Sequence, residues 1–254
     1  MSKSFNDANR DEEELPRGHD APGTSGTRPV HEALRMVPTP GSSASPVSAI
    51  LKQYRILDVL LSSIMLVLLS PLMLLIALAV RLSSPGPALF RQMRVGFQGR
   101  PFELLKFRTM KENNDDSVHR LYVTNLLMGL EPEGNNRIYK LERDPRVTSV
   151  GRILRRLSLD ELPQLINVLC ADMSLVGPRP ALSWEVELFD PIYAARFLVR
   201  PGMTGLWQVS GRNRVSVTRG LDLDLEFVRR QSLRLYLKIL LKTIPTIVMG
   251  NGAR

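Results

Sequence analysis

The feature that most constrains this chain is a run of 22 residues, 59–80, without a charged side chain. The run exceeds the roughly 18 apolar residues that indicate a membrane helix, so a helix that spans the bilayer is the first interpretation. Ser70 and Pro71 lie near its middle, and proline kinks or breaks a helix at such a position. The alternative is a re-entrant hairpin that bends at Ser70 and Pro71.

Both flanks of the apolar run are basic, which also favours the hairpin. A spanning helix is expected to carry more Lys and Arg on its cytoplasmic side, whereas two similar flanks suit a segment that enters and leaves on one face. As a helix, residues 56–69 reach about 21 Å, short of a hydrocarbon core of about 30 Å. The basic flanking residues are Lys52 and Arg55 before the run, and Arg81, Arg91 and Arg94 after it.

Composition divides the chain into three parts. Residues 1–48 hold six Pro, four Gly and seven Ser without an apolar period, which indicates a disordered tail rather than a signal peptide. Residues 49–83 form the expected re-entrant hairpin, and residues 84–254 the expected globular domain. The predicted fold class is α+β and mainly helical, with a small β-hairpin and amphipathic surface helices.

Charge is as unevenly placed as the apolar residues. Residues 1–55 hold seven Lys or Arg and seven Asp or Glu, so the net charge of +9 belongs to the rest of the chain. That charge favours anionic partners such as acidic lipid head groups or phosphorylated substrates. Nucleic acid is not expected, because the few aromatic residues are not interleaved with the basic ones. One cysteine, Cys170, excludes an internal disulfide, and no His or Cys spacing predicts a zinc site.

Two adjacent carboxylates, Asp160 and Glu161, lie in the segment SLDELPQL at 158–165. Pro163 is tolerated only in a first helical turn, so a helix is expected to begin near Asp160 and to end near Cys170. Backbone amides at a helix start keep a carboxylate ionised. Such a carboxylate can attack phosphorus or bind a divalent cation. The alternative is a helix cap, formed by Asp160 or by Ser158 with Glu161.

Two other segments carry basic side chains that are candidates for binding phosphate. Lys106 and Arg108 alternate with Phe107 on the second strand of a predicted β-hairpin, so both point to one face; a solvated basic face is the alternative. Arg179 lies between two prolines in GPRP at 177–180. A stiff turn there presents its guanidinium in a fixed place, and a guanidinium matches phosphate in a forked contact.

The C-terminal part contains one glycine-rich loop between two predicted helical regions. The loop RPGMTGLWQVSGR at 200–212 offers Arg200, Gln208, Arg212 and backbone amides to a nucleotide diphosphate. It matches neither the phosphate-loop nor the dinucleotide pattern. Residues 183–198 are expected to be helical, as are residues 221–249, whose mixed apolar and basic side chains fit either a membrane-surface helix or an ordinary packing helix.

Taken in order, these motifs resemble the bacterial sugar transferase family, the monotopic polyprenyl-phosphate hexose-1-phosphate transferases, over about residues 52–254. The resemblance rests on the apolar segment with its Ser-Pro pair, KFRTM at 106–110, DPR at 144–146, SLDELPQL at 158–165, SLVGPRP at 174–180 and the loop at 200–212. It implies a helix–break–helix in the bacterial inner membrane, with the globular domain on the cytoplasmic face.

The resemblance also implies a reaction. Asp160 would attack the β-phosphorus of a nucleoside-diphosphate sugar, with uridine as the nucleoside, and form a phosphosugar–aspartyl intermediate that undecaprenyl phosphate then resolves. Mg²⁺ is expected at Asp160 and Glu161, and Arg155 and Arg179 match arginines that hold phosphate.

The expected pathway role is the first membrane step of exopolysaccharide, capsule or O-antigen synthesis, with downstream glycosyltransferases as partners. The competing hypothesis is a membrane-anchored basic scaffold without catalysis, which has no need of the carboxylate pair.

Overall fold

The computed structural model describes residues 46–111, 120, 124–125, 146–211 and 215–248. The expected tail therefore lies almost wholly outside the described residues, as do Arg212 and the first two residues of the DPR motif. Within the described part the fold is α+β and mainly helical, with two small two-stranded sheets and one long apolar helix.

The long helix, α1, comprises Pro46–Ser83 and is continuous through Ser70 and Pro71. The predicted interruption at this pair is therefore wrong at the level of secondary structure. Pro71 has no N–H to donate to the carbonyl of Val67, four residues earlier. The hydroxyl of Ser70 donates to that same Val67 carbonyl at 2.9 Å, which replaces the missing bond and lets the helix continue. Lys52–Ser83 is long and apolar enough to cross a membrane.

Both ends of α1 contain residues buried against the rest of the protein, and most of its middle is exposed. Tyr54 and Asp58 are buried near the N-terminal end, and Ile76 and Val80 near the C-terminal end. Between them Val67 is 73% exposed. The buried residues follow helical spacing, so a stripe at each end of α1 faces the globular part.

A polar junction fixes the N-terminal end of α1. One carboxylate oxygen of Asp58 accepts hydrogen bonds from the Tyr236 hydroxyl at 2.6 Å, the Leu175 amide at 2.8 Å and the Ser174 hydroxyl at 3.0 Å. Arg55, one helical turn earlier, donates to the carbonyl of Leu169 at 2.7 Å. A carboxylate inside an apolar segment is therefore satisfied by hydrogen bonds to the globular domain.

The predicted β-hairpin is confirmed. Strand β1, Leu89–Val95, pairs antiparallel with β2, Pro101–Phe107, with Leu89 opposite Phe107. A short 3₁₀ turn, Phe97–Gly99, joins them, and Gln98 in this turn has a φ of 56°. A second sheet pairs β3, Ser174–Val176, in parallel with β4, Gly202–Thr204, so the 177–181 turn lies beside the 200–205 loop.

The helices of the globular part are shorter than the sequence predicts. Residues 183–198 are divided into a short helix and a 3₁₀ helix, and residues 221–249 are divided after Arg230. Ser232 makes this second division, because its hydroxyl accepts from the Leu235 amide at 3.2 Å and so caps a new helix. The helices are α2 Ser149–Leu157, α3 Gln164–Leu169, α4 Ser183–Glu187, α5 Leu206–Val209, α6 Val217–Arg229 and α7 Leu233–Val248, with 3₁₀ segments Leu159–Glu161 and Pro191–Leu198.

Candidate active site

The carboxylate pair lies on the 3₁₀ segment between α2 and α3. Helix α2 ends at Leu157, and Ser158 adopts a left-handed conformation with φ 56° and ψ 22°. This sharp turn presents Asp160 and Glu161, both partly buried, at the junction of the two helices. The N-cap of α3 is Pro163 and the Ser158 side chain makes no capping hydrogen bond. Asp160 is not the N-cap of α3, and the capping interpretation is wrong for this helix.

Lys106 lies directly at the pair. Its ammonium nitrogen is 3.0 Å from a carboxylate oxygen of Glu161, and both side chains are partly exposed, at 25% and 37%. Lys106 is the penultimate residue of β2, so the hairpin brings a cation to the carboxylates. A partly exposed ion pair of this kind contributes little to stability, and its main consequence is to fix the position of the Glu161 side chain.

Arg155 occupies the last turn of α2, just before the carboxylates. Its Nε donates to the Thr109 hydroxyl at 2.9 Å. Thr109 also accepts, through its carbonyl, from the Thr148 amide at 3.1 Å, and a Cβ on Gly151 would lie 2.1 Å from that carbonyl oxygen. The KFRTM segment and α2 therefore meet without room for a side chain at 151, and this contact sets where Arg155 lies.

Arg179 is exposed on the 177–181 turn, as predicted for a presented guanidinium. Its guanidinium carbon lies 5.8 Å from the centre of the Trp207 ring, within the range of a cation–π contact. The tryptophan of the glycine-rich loop therefore supports the arginine of the GPRP turn.

Arg94, which the sequence interpretation counted only as a flanking charge, is buried beside the 177–181 turn. The side chain is 8% exposed, donates to the carbonyl of Pro180 at 3.2 Å and lies 4.0 Å from a carboxylate oxygen of Glu185. Burial, together with the charge of Arg179, lowers the pKa of Arg94 to about 10, and Glu185 and Glu161 oppose this shift. Arg94 is thus within electrostatic reach of both Glu161 and Arg179. Alternation along β1 gives no signal for this burial, because Arg94 and its neighbour Val95 are both buried at the end of the strand.

Arg108, predicted to bind phosphate, and Arg200, predicted in the nucleotide-sugar loop, have other contacts. Arg108 is buried and donates to the carbonyls of Pro85 and, at 2.7 Å, Ser84, which fixes the loop after α1. Arg200 donates to the carbonyl of Ala171 at 2.8 Å, and burial lowers its pKa. Both guanidinium groups donate hydrogen bonds to backbone carbonyls. The structure therefore gives them a role in fixing loops that the sequence did not predict.

The remaining nucleotide-loop residues are Gln208 and Arg212. Gln208 lies on α5, and its side-chain oxygen is buried with no hydrogen-bond partner among the described residues. Arg212 is outside the described residues. Their contact with a nucleotide stays a prediction.

The donor set at Asp160 and Glu161 fits Mg²⁺. Within the described ranges, no group of three or more His, Cys, Asp or Glu side chains is placed to hold a metal ion. Mg²⁺ is commonly bound by one or two carboxylates together with substrate phosphates and water. Two partly buried adjacent carboxylates beside cationic side chains supply that number and leave the other positions to substrate oxygens.

Comparison with known proteins shows the family of this chain. The family model described as bacterial sugar transferase matches residues 48–250, and the chain belongs to this family. An exopolysaccharide production protein, ExoY, from Rhizobium meliloti is 42% identical over 217 residues, which cover 85% of this chain and 94% of the relative.

Two further relatives are named for a transfer reaction. A UDP-glucose:undecaprenyl-phosphate glucose-1-phosphate transferase from Caulobacter vibrioides is 41% identical over 84% of this chain and 76% of its own length. An undecaprenyl-phosphate galactose phosphotransferase from Salmonella typhimurium is 41% identical over 78% of this chain and 41% of its own length.

Proposed function

We propose that this protein transfers a hexose 1-phosphate from a UDP-sugar to undecaprenyl phosphate, as the first membrane step in the synthesis of an exopolysaccharide, capsule or O-antigen. The observation that carries the proposal is the Asp160–Glu161 turn, with Lys106 3.0 Å from Glu161 and Arg94 within electrostatic reach of that carboxylate. Two relatives that match most of the chain bear the names of such transferases.

In the proposed first step, a carboxylate oxygen of Asp160 forms a bond to the β-phosphorus of the UDP-sugar. The bond from that phosphorus to the bridging oxygen breaks, and the nucleoside monophosphate leaves with the electron pair. In the second step a phosphate oxygen of undecaprenyl phosphate attacks the same phosphorus. The Asp160 carboxylate is then released, and the sugar leaves on a lipid-linked diphosphate. Two steps through one carboxylate spare the site from orienting both large substrates at once.

The side chains around Asp160 have separate roles in this proposal. Lys106 holds Glu161 in place, and Arg155 and Arg179 neutralise charge on the phosphates, which is the main requirement of phosphoryl transfer. Mg²⁺ held by Asp160 and Glu161 would supply further positive charge to the diphosphate.

The packing of α1 supports a re-entrant rather than a spanning placement. Tyr54 and Val80 are both buried against the globular part, although they lie 26 positions apart on one helix, which corresponds to about 39 Å. A straight spanning helix with a domain on one side of the bilayer would leave one of these ends without its contacts. The basic flanks on both sides of the segment favour the cytoplasmic face for the domain.

Exposed apolar residues on two other helices support the same placement. On α7, Leu237 and Leu241 are exposed beside Lys238 and Lys242. On α2, Ile153 is 60% exposed between arginines. An apolar face bordered by basic side chains suits the boundary between acyl chains and anionic head groups, so the domain is proposed to rest on the membrane surface and to recruit downstream glycosyltransferases there.

The test is a transfer assay with purified full-length protein, Mg²⁺, undecaprenyl phosphate and UDP-glucose or UDP-galactose labelled in the sugar. We expect labelled sugar in the organic extract, no label there when EDTA is present, and label again when excess Mg²⁺ is added. Asp160→Asn is expected to lower the rate at least about 10³-fold, as the loss of a nucleophile does. Asp222→Asn, which changes an exposed carboxylate on α6, is the matched control and should transfer normally. An equal rate for Asp160→Asn and Asp222→Asn would refute the assigned role, and no transfer of any UDP-sugar would favour the scaffold.

A further inference from the structure

The turn that carries Arg179 is held at four successive carbonyls by four different donors. The donors come from β1, from β4 and from the 3₁₀ helix Pro191–Leu198, so three separate parts of the fold meet on this turn. The bonds are Gly202 amide to Pro178 carbonyl at 2.8 Å, Arg196 guanidinium to Arg179 carbonyl at 2.7 Å, Arg94 guanidinium to Pro180 carbonyl at 3.2 Å and Val95 amide to Ala181 carbonyl at 2.9 Å.

Two of the four donors are buried arginines, which is unusual for a backbone support. Arg196 is 4% exposed and Arg94 8%. Arg196 also donates to the Asp224 carboxylate at 2.7 Å, and this pair is buried on both sides. A buried ion pair is weak evidence for stability, because the desolvation of both charges offsets their attraction. The Nε atoms of Arg94 and Arg196 are buried without partners among the described residues, so these arginines are not placed for stability alone.

The side chain of Arg179 is supported from the same helix that anchors its backbone. Asp224, on α6, is the partner of Arg196. Gly220, one turn earlier on α6, lies against Trp207, whose ring a Cβ at 220 would approach to 3.0 Å. Trp207 in turn lies under the Arg179 guanidinium. Helix α6 therefore fixes both ends of Arg179, through Arg196 at the carbonyl and through Trp207 at the guanidinium.

We propose that Arg94 and Arg196 are positioning residues that hold the 177–181 turn, so that the Arg179 guanidinium is already placed for a phosphate group of the UDP-sugar. They bind backbone carbonyls and not the substrate. The inference rests on the proposed function for its catalytic consequence. Holding a group in its productive place before binding avoids an ordering cost at each turnover, and a displacement of about 1 Å can lower a rate about 10²-fold.

The first test is a double-mutant cycle between Arg196→Lys and Arg179→Ala, measured as kcat/KM for the UDP-sugar. Both bonds of Arg196 come from one guanidinium nitrogen, Nη2. Lysine keeps the charge opposite Asp224, but its ammonium nitrogen lies one bond closer to the backbone than Nη2 and falls short of the Arg179 carbonyl. If Arg196 acts through Arg179, Arg196→Lys lowers kcat/KM at least tenfold in the wild-type background and less than twofold in the Arg179→Ala background. Equal losses in both backgrounds, or no loss in either, would overturn the inference.

A second measurement does not depend on activity. Hydrogen exchange of the peptide that covers residues 174–182 should become faster in Arg196→Lys and in Arg94→Lys. It should stay unchanged in the control Arg230→Lys, which alters an exposed pair with Glu226. Unchanged exchange in both folded variants would overturn the positioning role even if the protein transfers no sugar. If the wild type transfers sugar but the two substitutions act additively in the double-mutant cycle, only the positioning role is overturned. If the wild type transfers no sugar but local hydrogen exchange is faster in the variants, only the proposed function is refuted.

Discussion

Ser158 lies in the left-handed region of backbone space, one residue beyond the end of α2. Its amide still bonds to the carbonyls of Arg155 and Leu154, so the helix is closed before the chain turns. A non-glycine residue in this conformation costs about 1–2 kcal/mol. The turn places Asp160 and Glu161 beside Lys106 instead of in a regular helix, and local strain of this kind is typical of functional sites.

The buried carboxyl of Asp224 predicts how the free energy of unfolding depends on pH. Burial raises the pKa of its carboxyl from 3.8 to about 6, while Arg196 opposes the shift. Between these two pH values the folded protein binds a proton that the unfolded chain has released, so this group's contribution to the free energy of unfolding falls as pH rises. The slope is at most about 1.4 kcal/mol per pH unit.

Asp224→Asn removes that titration. The difference in unfolding free energy between wild type and Asp224→Asn is therefore expected to be largest near pH 4, to shrink up to about pH 6, and to stay level above it. Denaturant unfolding in detergent at a series of pH values measures it. A difference that grows between pH 4 and 6 would contradict the assignment, because it would mean that folding lowers this pKa.

Among the secondary-structure elements, helix α1 depends on the hydroxyl of Ser70 for its continuity. Ser70 donates to the Val67 carbonyl that Pro71 leaves without an amide donor. In a membrane, water cannot replace that bond. We expect Ser70→Ala to lower the free energy of unfolding by about 1–3 kcal/mol, the cost of an unsatisfied polar group.

A double-mutant cycle isolates this effect. In the Pro71→Ala background residue 71 regains its N–H, so Ser70→Ala should then cost less than about 0.5 kcal/mol. Unfolding followed by circular dichroism in lipid nanodiscs compares the four proteins. Equal costs of Ser70→Ala in both backgrounds would show that the hydroxyl does not substitute for the proline amide.

The elements also show what could be predicted from sequence. Glycines between two short apolar-basic runs predicted the β1–β2 hairpin correctly because hairpin pairing is a local matter. The division of 221–249 into α6 and α7 was missed, since Ser232 looks like any polar residue on a helix until its capping bond is known. A continuous α1 was one of two interpretations and not the favoured one, because the proline rule does not include a hydroxyl donor at the preceding residue.

The residues of the candidate site also differ in how far the sequence indicated their contacts. Asp160, Glu161 and Arg179 were chosen from local motifs, and the structure places Lys106 beside Glu161; the role of these residues in the reaction stays a prediction. The burial of Arg94 was not anticipated, and Arg108, predicted to bind phosphate, donates to two backbone carbonyls. These outcomes depend on which carbonyls lie nearby after the long-range contacts form, such as Pro180 for Arg94 and Ser84 for Arg108. Sequence spacing carries no information about such partners.

At the scale of the whole molecule, α1 connects membrane and site. Asp58 ties it to α7 and β3, and Arg55 binds carbonyls at the end of α3, whose other end follows the carboxylates. Met73 and Ala77 of α1 join a cluster with Phe107 and Leu154, next to Lys106 and Arg155. The candidate membrane helix α1 therefore packs on both elements that position the candidate site, which suits the proposed use of one water-soluble and one lipid substrate.

The central claim is that Asp160 carries the phosphosugar between the two substrates. The most direct measurement incubates the purified protein with Mg²⁺ and UDP-sugar labelled in the sugar, without undecaprenyl phosphate, and follows covalent label on the protein by mass spectrometry. We expect label on the peptide that contains Asp160, no label in Asp160→Asn, and release of the label to lipid when undecaprenyl phosphate is added. No label on wild-type protein that transfers sugar once the lipid is present would contradict the covalent mechanism.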